Sequence, residues 1–304
     1  MTEAQLTCVY GLPPGDLAVP PVGAVQVSPL IPGAAQLEDV TPESLSGFII
    51  AAPPGTAERR YVLALALRAL KPGGWLTAMA PKDKGGSRLA KELKAFGCEV
   101  EDRGLRHQRV SSTTRGPALT GIDEAIEAGR PRIVPQLGLW SQPGLFSWDR
   151  LDPGTALLMS VLPQLSGKGV DLGCGIGVLA RAVLANPAIE RLDLVDIDRR
   201  AVAAAEHNVV DARVGFHWCD ARHAPDLSGL DFVVMNPPFH DGGTEDKALG
   251  QAFVRRAHDM LRKGGVLWLV ANRHLPYEGV LTEKFSAVNL KAEAGGFKVY
   301  EARR

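Results

Sequence analysis

From residue 169 onward, short apolar runs bounded by turn residues alternate with amphipathic stretches, a pattern that suits little besides a parallel sheet with helical crossovers. The spacing predicts strands over 169–172, 191–195, 214–219, 231–235 and 266–271. Helices are expected over 178–186, 199–210 and 248–261, the last closed by Lys263-Gly264-Gly265. Residues 285–290 and 296–301 read as a terminal antiparallel pair. The implied fold class is α/β and Rossmann-like.

Two motifs sit where such a sheet places its chemistry. The glycine loop Asp171-Leu-Gly-Cys-Gly-Ile-Gly177 closes the first strand and opens a helix, and its glycines let a ligand approach backbone N–H groups. Its Gly173-x-Gly175-x-Gly177 spacing differs from the G-x-G-x-x-G that seats a pyrophosphate. Downstream, Asn236-Pro237-Pro238-Phe239 follows the apolar run 231–235. A strand ending this way offers an amide oxygen, a carbonyl that no proline N–H can take, and a flat face for stacking. An amino group on a planar ring needs those features, so the pair of motifs reads as an S-adenosylmethionine (SAM) methyltransferase.

On that reading Asp196 ends the second strand and accepts from the ribose hydroxyls, with Ile197 beside it, and Asp198 caps a helix. Asp220 is placed to accept from the adenine amino group. Cys174, set between glycines beside the cofactor, reads as a small packed side chain, not a nucleophile. Upstream, 143–155 introduces a helix at 156–162 and can bring Phe146, Asp152 and Gly154 to the methionine end of SAM. Asn236 and the Pro237 carbonyl are expected to hold the amino protons, Pro238 to shape the turn and Phe239 to stack on the base. His240 and Asp241 either order that loop or touch substrate. The seven histidines form no ligand pattern, and no metal is expected.

The N-terminal half echoes this plan. Phe48-Ile-Ile-Ala-Ala-Pro-Pro54 mirrors Phe232-Val-Val-Met-Asn-Pro-Pro238, and 69–78 mirrors 260–269 around a shared Gly-Gly. The first copy has Ala52 opposite Asn236 and no G-x-G-x-G, so it is expected to be catalytically silent. The expected organisation is a degenerate methyltransferase-like domain over 1–138 and a catalytic domain over 139–304. The stretch 129–138, with two prolines, is the expected linker. Formal net charge is zero, yet 59–115 carries thirteen basic residues against five acidic ones. That excess is either an ordinary solvated face or a phosphate-contacting patch. Four cysteines without C-x-x-C pairing, and no long apolar run, fit a soluble monomer of the cytoplasm.

Taken with Pro143-Gly-x-Phe146, Leu151-Asp-x-Gly-Thr-x-Leu-Leu158, Val270-Ala-Asn-x-x-Leu-Pro-Tyr277 and Phe297-Lys-Val-Tyr300, these motifs resemble the bacterial RsmC-type ribosomal RNA guanine-N2 methyltransferases. The resemblance is strong over 143–304 and holds only in outline before it. It implies a guanine N2 of small-subunit (16S) ribosomal RNA as the methyl acceptor, with the ribosomal RNA or small ribosomal subunit as partner. The silent domain would then aid RNA binding or folding. Thr155 stands where the resemblance leads one to expect serine. Relatives that modify a large-subunit guanine share the motifs, and adenine N6 or protein glutamine also presents a planar NH₂. A non-catalytic RNA-binding assembly factor is the reading from another class.

Overall fold

The computed structural model describes residues 6–224, 227–238, 240–241, 244–245 and 247–304. The chain divides into two compact units. The first holds residues up to Pro131 with Gln142–Gly144, and the second Arg132–Ser141 with Leu145–Arg304.

The second unit begins with the short hairpin β7 (Arg132–Val134) and β8 (Leu139–Ser141), numbered after the first unit's elements below. The stretch expected as a linker therefore carries a paired strand. Then follow α4 (Pro153–Val161), β9 (Gly167–Leu172), α5 (Val178–Leu184), β10 (Ile189–Asp196), α6 (Arg199–Asn208), β11 (Val214–Trp218) and β12 (Leu230–Met235). A two-rung ladder, β13 (His240–Asp241) with β14 (Thr244–Glu245), precedes α7 (Lys247–Met260), β15 (Leu261–Asn272), α8 (Glu278–Lys284), β16 (Ala287–Ala294) and β17 (Phe297–Arg303). The sheet order is β11-β10-β9-β12-β15-β17-β16, parallel except for the last two strands. The central strands β9 and β12 are apolar on both faces because helices cover both. The strand order reverses between β9 and β12, so the crevice at their carboxyl ends is where a ligand binds in this architecture.

The first unit repeats the plan in reduced form. It contains β1 (Thr7–Tyr10), β2 (Val25–Gln26), β3 (Leu45–Ala51), α1 (Thr56–Ala69), β4 (Leu70–Pro81), α2 (Ser87–Ala95), β5 (Val100–Leu105), β6 (Gln108–Thr114) and α3 (Ile122–Gly129). Its order, β2-β1-β3-β4-β6-β5, matches β10-β9-β12-β15-β17-β16. Among the described residues it has no counterpart of α5, α6 or β11.

Even an irregularity is shared. The ladder between β3 and β4 jumps from Leu45↔Leu70 to Gly47↔Trp75, and that between β12 and β15 from Leu230↔Leu261 to Phe232↔Val266. In each bulge the first glycine, Gly73 or Gly264, has a positive φ, and a side chain on the second would crowd the facing carbonyl, that of Leu45 at 3.3 Å from Gly74 and that of Leu230 at 2.8 Å from Gly265. The tandem, degenerate organisation is thus written in the backbone.

The register corrects one detail of the sequence echo. Counted from the shared bulge, Gly47 rather than Phe48 is the partner of Phe232, and Ala51 rather than Ala52 holds the rung of Asn236. The faces agree: Phe48 and Ile50 pack with α1, as Val233 and Met235 pack with α7, while Phe232 points to the opposite face. A one-residue slip inverts every side chain of a strand, so the matching phenylalanines are not equivalent. The equivalent residue is still alanine, and the first copy still has no amide at that rung.

At the end of β3 a buried ion pair fills the first unit. Arg59 is fully buried and forks onto Glu92 with two bonds of 2.7 Å, while its third nitrogen donates to the carbonyls of Pro53 at 3.3 Å and Pro54 at 2.7 Å.

Candidate active site

The cleft lies at the carboxyl ends of β9 and β12. Phe146, Asp152, Asp171, Gly173, Cys174, Gly175 and Asn236 line it, joined by Arg150, Thr155, Ile176 and Val178. Of the residues expected from sequence, the first seven are brought together there. Gly154, Gly177, Asp196, Ile197, Asp220, Pro237 and Pro238 are not among its lining residues. The stacking residue expected at 239 lies outside the described residues.

The loop after β9 turns through positive φ at Gly173, Gly175 and Gly177. Gly173 and Cys174 donate to the carbonyl of Val195 at 2.8 and 3.1 Å, which pins the loop to β10. Beside Gly175 nothing lies within 4 Å of where a side chain would begin, so this backbone faces open space. At Gly177 a side chain would meet Val209 at 2.7 Å, so glycine is needed there for α5 to pack against the end of α6.

Two carboxyl groups sit beneath the loop. Asp196 accepts from the N–H groups of Gly175 and Asp198, both at 2.9 Å. Burial pushes its carboxyl up to about 6 despite those bonds. Asp171 is buried at the end of β9 and is pushed up to about 8, by burial first and by the charge of Asp196 second. Its Oδ2 is buried with no hydrogen-bond partner among the described residues. The Cys174 thiol is raised well above its ordinary value by burial and by both aspartates, so it stays protonated and serves as packing.

Asp198 caps α6 as expected, accepting from Arg200 N at 2.9 Å. Asp220 begins a short 3₁₀ turn. Burial works to raise its carboxyl, but Arg222, which forks onto it, outweighs this and holds it below its ordinary value. Gly154 lies in the first turn of α4, where a side chain would strike the ring of Phe297.

Asn236 follows β12 directly, and β12 lies beside β9 with Val234 opposite Asp171. Pro238 and the carbonyl of Asn236 approach Gly173, so both motifs meet at one point. The amide nitrogen of Asn236 donates to Asp152 Oδ2 at 2.9 Å and to Thr155 Oγ1 at 3.0 Å. A carboxylate can only accept, which fixes the amide: nitrogen toward Asp152, with the oxygen left as the free acceptor. No described residue donates to that oxygen. From sequence, Thr155 stands out only as a departure from the expected serine. Its bond to Asn236 spans 81 residues of chain, beyond any local pattern.

Comparison with known proteins agrees with this geometry. Residues 136–301 match the family model of the methyltransferase small domain, the class that the fold and cleft define. The ribosomal RNA small subunit methyltransferase C of Shewanella loihica is 32% identical over 86% of this chain and 78% of that protein, and that of Shewanella amazonensis is 34% identical with the same coverage. A T. thermophilus 16S rRNA N2 methyltransferase (RsmC), solved with AdoMet and guanosine, superposes with a TM-score of 0.79 at 26% identity, covering 100% of this chain and 89% of that one. The chain belongs to the ribosomal RNA small subunit methyltransferase C family.

Proposed function

We propose that this protein transfers a methyl group from SAM to the exocyclic N2 of a guanine in small-subunit ribosomal RNA. One observation carries the reading: beside the cofactor loop, Asn236 has its amide nitrogen committed and its oxygen free to accept. An exocyclic NH₂ is a donor, and such an acceptor is its complement.

The residues present fit SAM. The open backbone at Gly175, the orphaned polar Oδ2 of Asp171 and the carboxylate of Asp196 supply a cradle, an unmatched polar group and a hydroxyl acceptor. When bound, SAM supplies a methyl group on a positively charged sulfur. In our reading Asn236 Oδ1 and the Pro237 carbonyl each accept a hydrogen bond from one N2–H, which turns the nitrogen lone pair toward that methyl. The same two oxygens would stabilise the positive charge that methylation puts on nitrogen, and the surplus N2 proton would leave to solvent. The rate comes from positioning and from this electrostatic term, with no strong base needed.

The first unit, in this reading, holds RNA through the outer face of α2. Its inner positions Leu89, Glu92 and Leu93 are buried, whereas Arg88, Lys91 and Lys94 are exposed, as is Lys82 just before the helix. None of these four has an ion-pair partner among the described residues. By contrast Arg59, Arg106, Arg109 and Arg115 are paired with Glu92, Asp16, Asp102 and Glu43. The docking patch is therefore narrower than the charge tally of 59–115 suggests.

The test is tritiated SAM supplied with small subunits, large subunits and deproteinised RNA from cells lacking the enzyme, followed by nucleoside analysis. N2-methylguanine in small-subunit RNA is the expected product. N6-methyladenine, methylglutamine, or label confined to large subunits would overturn the assignment.

A further inference from the structure

The amide of Asn236 is not held by its own strand. Its nitrogen is fixed by two acceptors from the leader of α4, which lies more than eighty residues earlier in the chain. We infer that Asp152, with Thr155 as second acceptor, is a positioning residue whose task is to lock the Asn236 amide with its oxygen toward the substrate amino group. This rests on the reading of Asn236 given above.

The physical need is plain. An asparagine amide is nearly symmetric in shape, and turning it over by half a revolution presents NH₂ where oxygen was. A flipped amide would set donor against donor at the guanine N2 and lose the clamp. One carboxylate oxygen prevents this, because Asp152 Oδ2 accepts at once from Asn236 Nδ2 at 2.9 Å and from Thr155 N at 2.8 Å. The second bond makes Asp152 the N-cap of α4, with Pro153 at the first helical position. The helix start therefore holds the carboxylate in place, and the carboxylate holds the amide. Thr155 sits in the first turn of the same helix, so its hydroxyl is presented by the same cap.

Capping and locking can be separated by side-chain length. In the full-length protein, Asp152→Ser keeps a good cap for Thr155 N but is too short to reach Asn236, whereas Asp152→Asn can place its oxygen where Oδ2 was and accept both bonds. Both variants should melt close to wild type, and measuring at saturating SAM takes any change in SAM affinity out of the comparison. Turnover at saturating SAM on small subunits should fall by roughly tenfold or more in Asp152→Ser, and Asp152→Asn should recover most of that loss. Thr155→Val, which keeps shape but removes the hydroxyl, should deepen the loss when added to Asp152→Ser by more than it costs alone. Wild-type turnover in Asp152→Ser, or an equal loss in Asp152→Asn, would overturn the lock. An Asn236→Ala variant separates the two ideas. If it is active, the clamp itself is wrong; if it is inactive while Asp152→Ser is fully active, only the lock fails.

Discussion

Asp171→Asn should change how stability depends on pH. In the folded protein the Asp171 carboxyl is pushed up to about 8 from an ordinary 3.8, by burial and by Asp196. Between those two values the native state keeps a proton that the unfolded chain has released. Stability from this group is therefore fully present below the ordinary carboxylate range, and it is lost as pH rises to about 8. The slope is about 1.4 kcal/mol per pH unit. For a catalytic unit of this size, 1 kcal/mol moves Tm by roughly 2–4 °C. An asparagine cannot ionise, so its Tm relative to wild type should climb by about 3–5 °C per pH unit between pH 5 and 8. Any fixed cost of the new NH₂ shifts that curve without tilting it. Scanning calorimetry on both proteins at constant ionic strength measures the difference directly, and using the difference removes titrating groups that do not interact with Asp171, leaving its coupling to Asp196 within the measured slope. A difference that stays flat from pH 5 to 8 refutes the argument, because Asp171 would then be ionised at the same pH in both states. Saturating SAM, which brings positive charge to the cleft, should flatten the wild-type slope.

Other expectations concern binding and turnover. Asn236→Ala should leave SAM affinity nearly intact and lower turnover by roughly a hundredfold or more, as fits an interaction made mainly in the transition state; Asp196→Ala should chiefly weaken SAM in calorimetry. One SAM should bind per chain, because the first unit has no glycine loop and an alanine on the asparagine rung; a second equivalent would remove the reading of a silent copy. Replacing Lys82, Arg88, Lys91 and Lys94 together by alanine should weaken RNA binding, leave SAM affinity unchanged, and reduce the log–log salt slope by about 0.7–0.9 for each phosphate that is no longer neutralised. An unchanged slope would remove the α2 face from the docking surface.

Much of this is legible in the sequence because it is local. Alternating periods locate the strands and crossovers, closely spaced glycines mark the loop, and Asp198 announces its own helix start. Asn236 can be singled out because two prolines and an aromatic follow it where an apolar run ends. What stays hidden is non-local or a matter of register. The two phenylalanines that align the copies by sequence face opposite sides of their sheets, since a bulge offset of one residue leaves no mark in composition. Arg59 reads as one more surface charge until Glu92, thirty-three residues on, is seen beside it. Asp152 reads from sequence as a residue brought to the methionine end of SAM, and its bond to Asn236, eighty-four residues on, leaves no local mark. Nor can a run of basic residues say which of them are already paired.

The Arg59–Glu92 pair bears on the history of the first copy. The silence expected of it does not rest on one missing side chain. The carbonyls just past its strand end are occupied by a guanidinium that is held in turn by a buried carboxylate, and among the described residues it has no counterpart of the crossover helices α5 and α6. Removing either ion alone strands a charge in the core, at a cost of about 3–5 kcal/mol. Restoring an asparagine at Ala51 would therefore leave the Pro53 and Pro54 carbonyls, next along the chain, still held by Arg59. The duplicate sits behind a ratchet: freeing those carbonyls by giving up Arg59 strands the buried Glu92, so the step that reopens the site is itself uphill in stability.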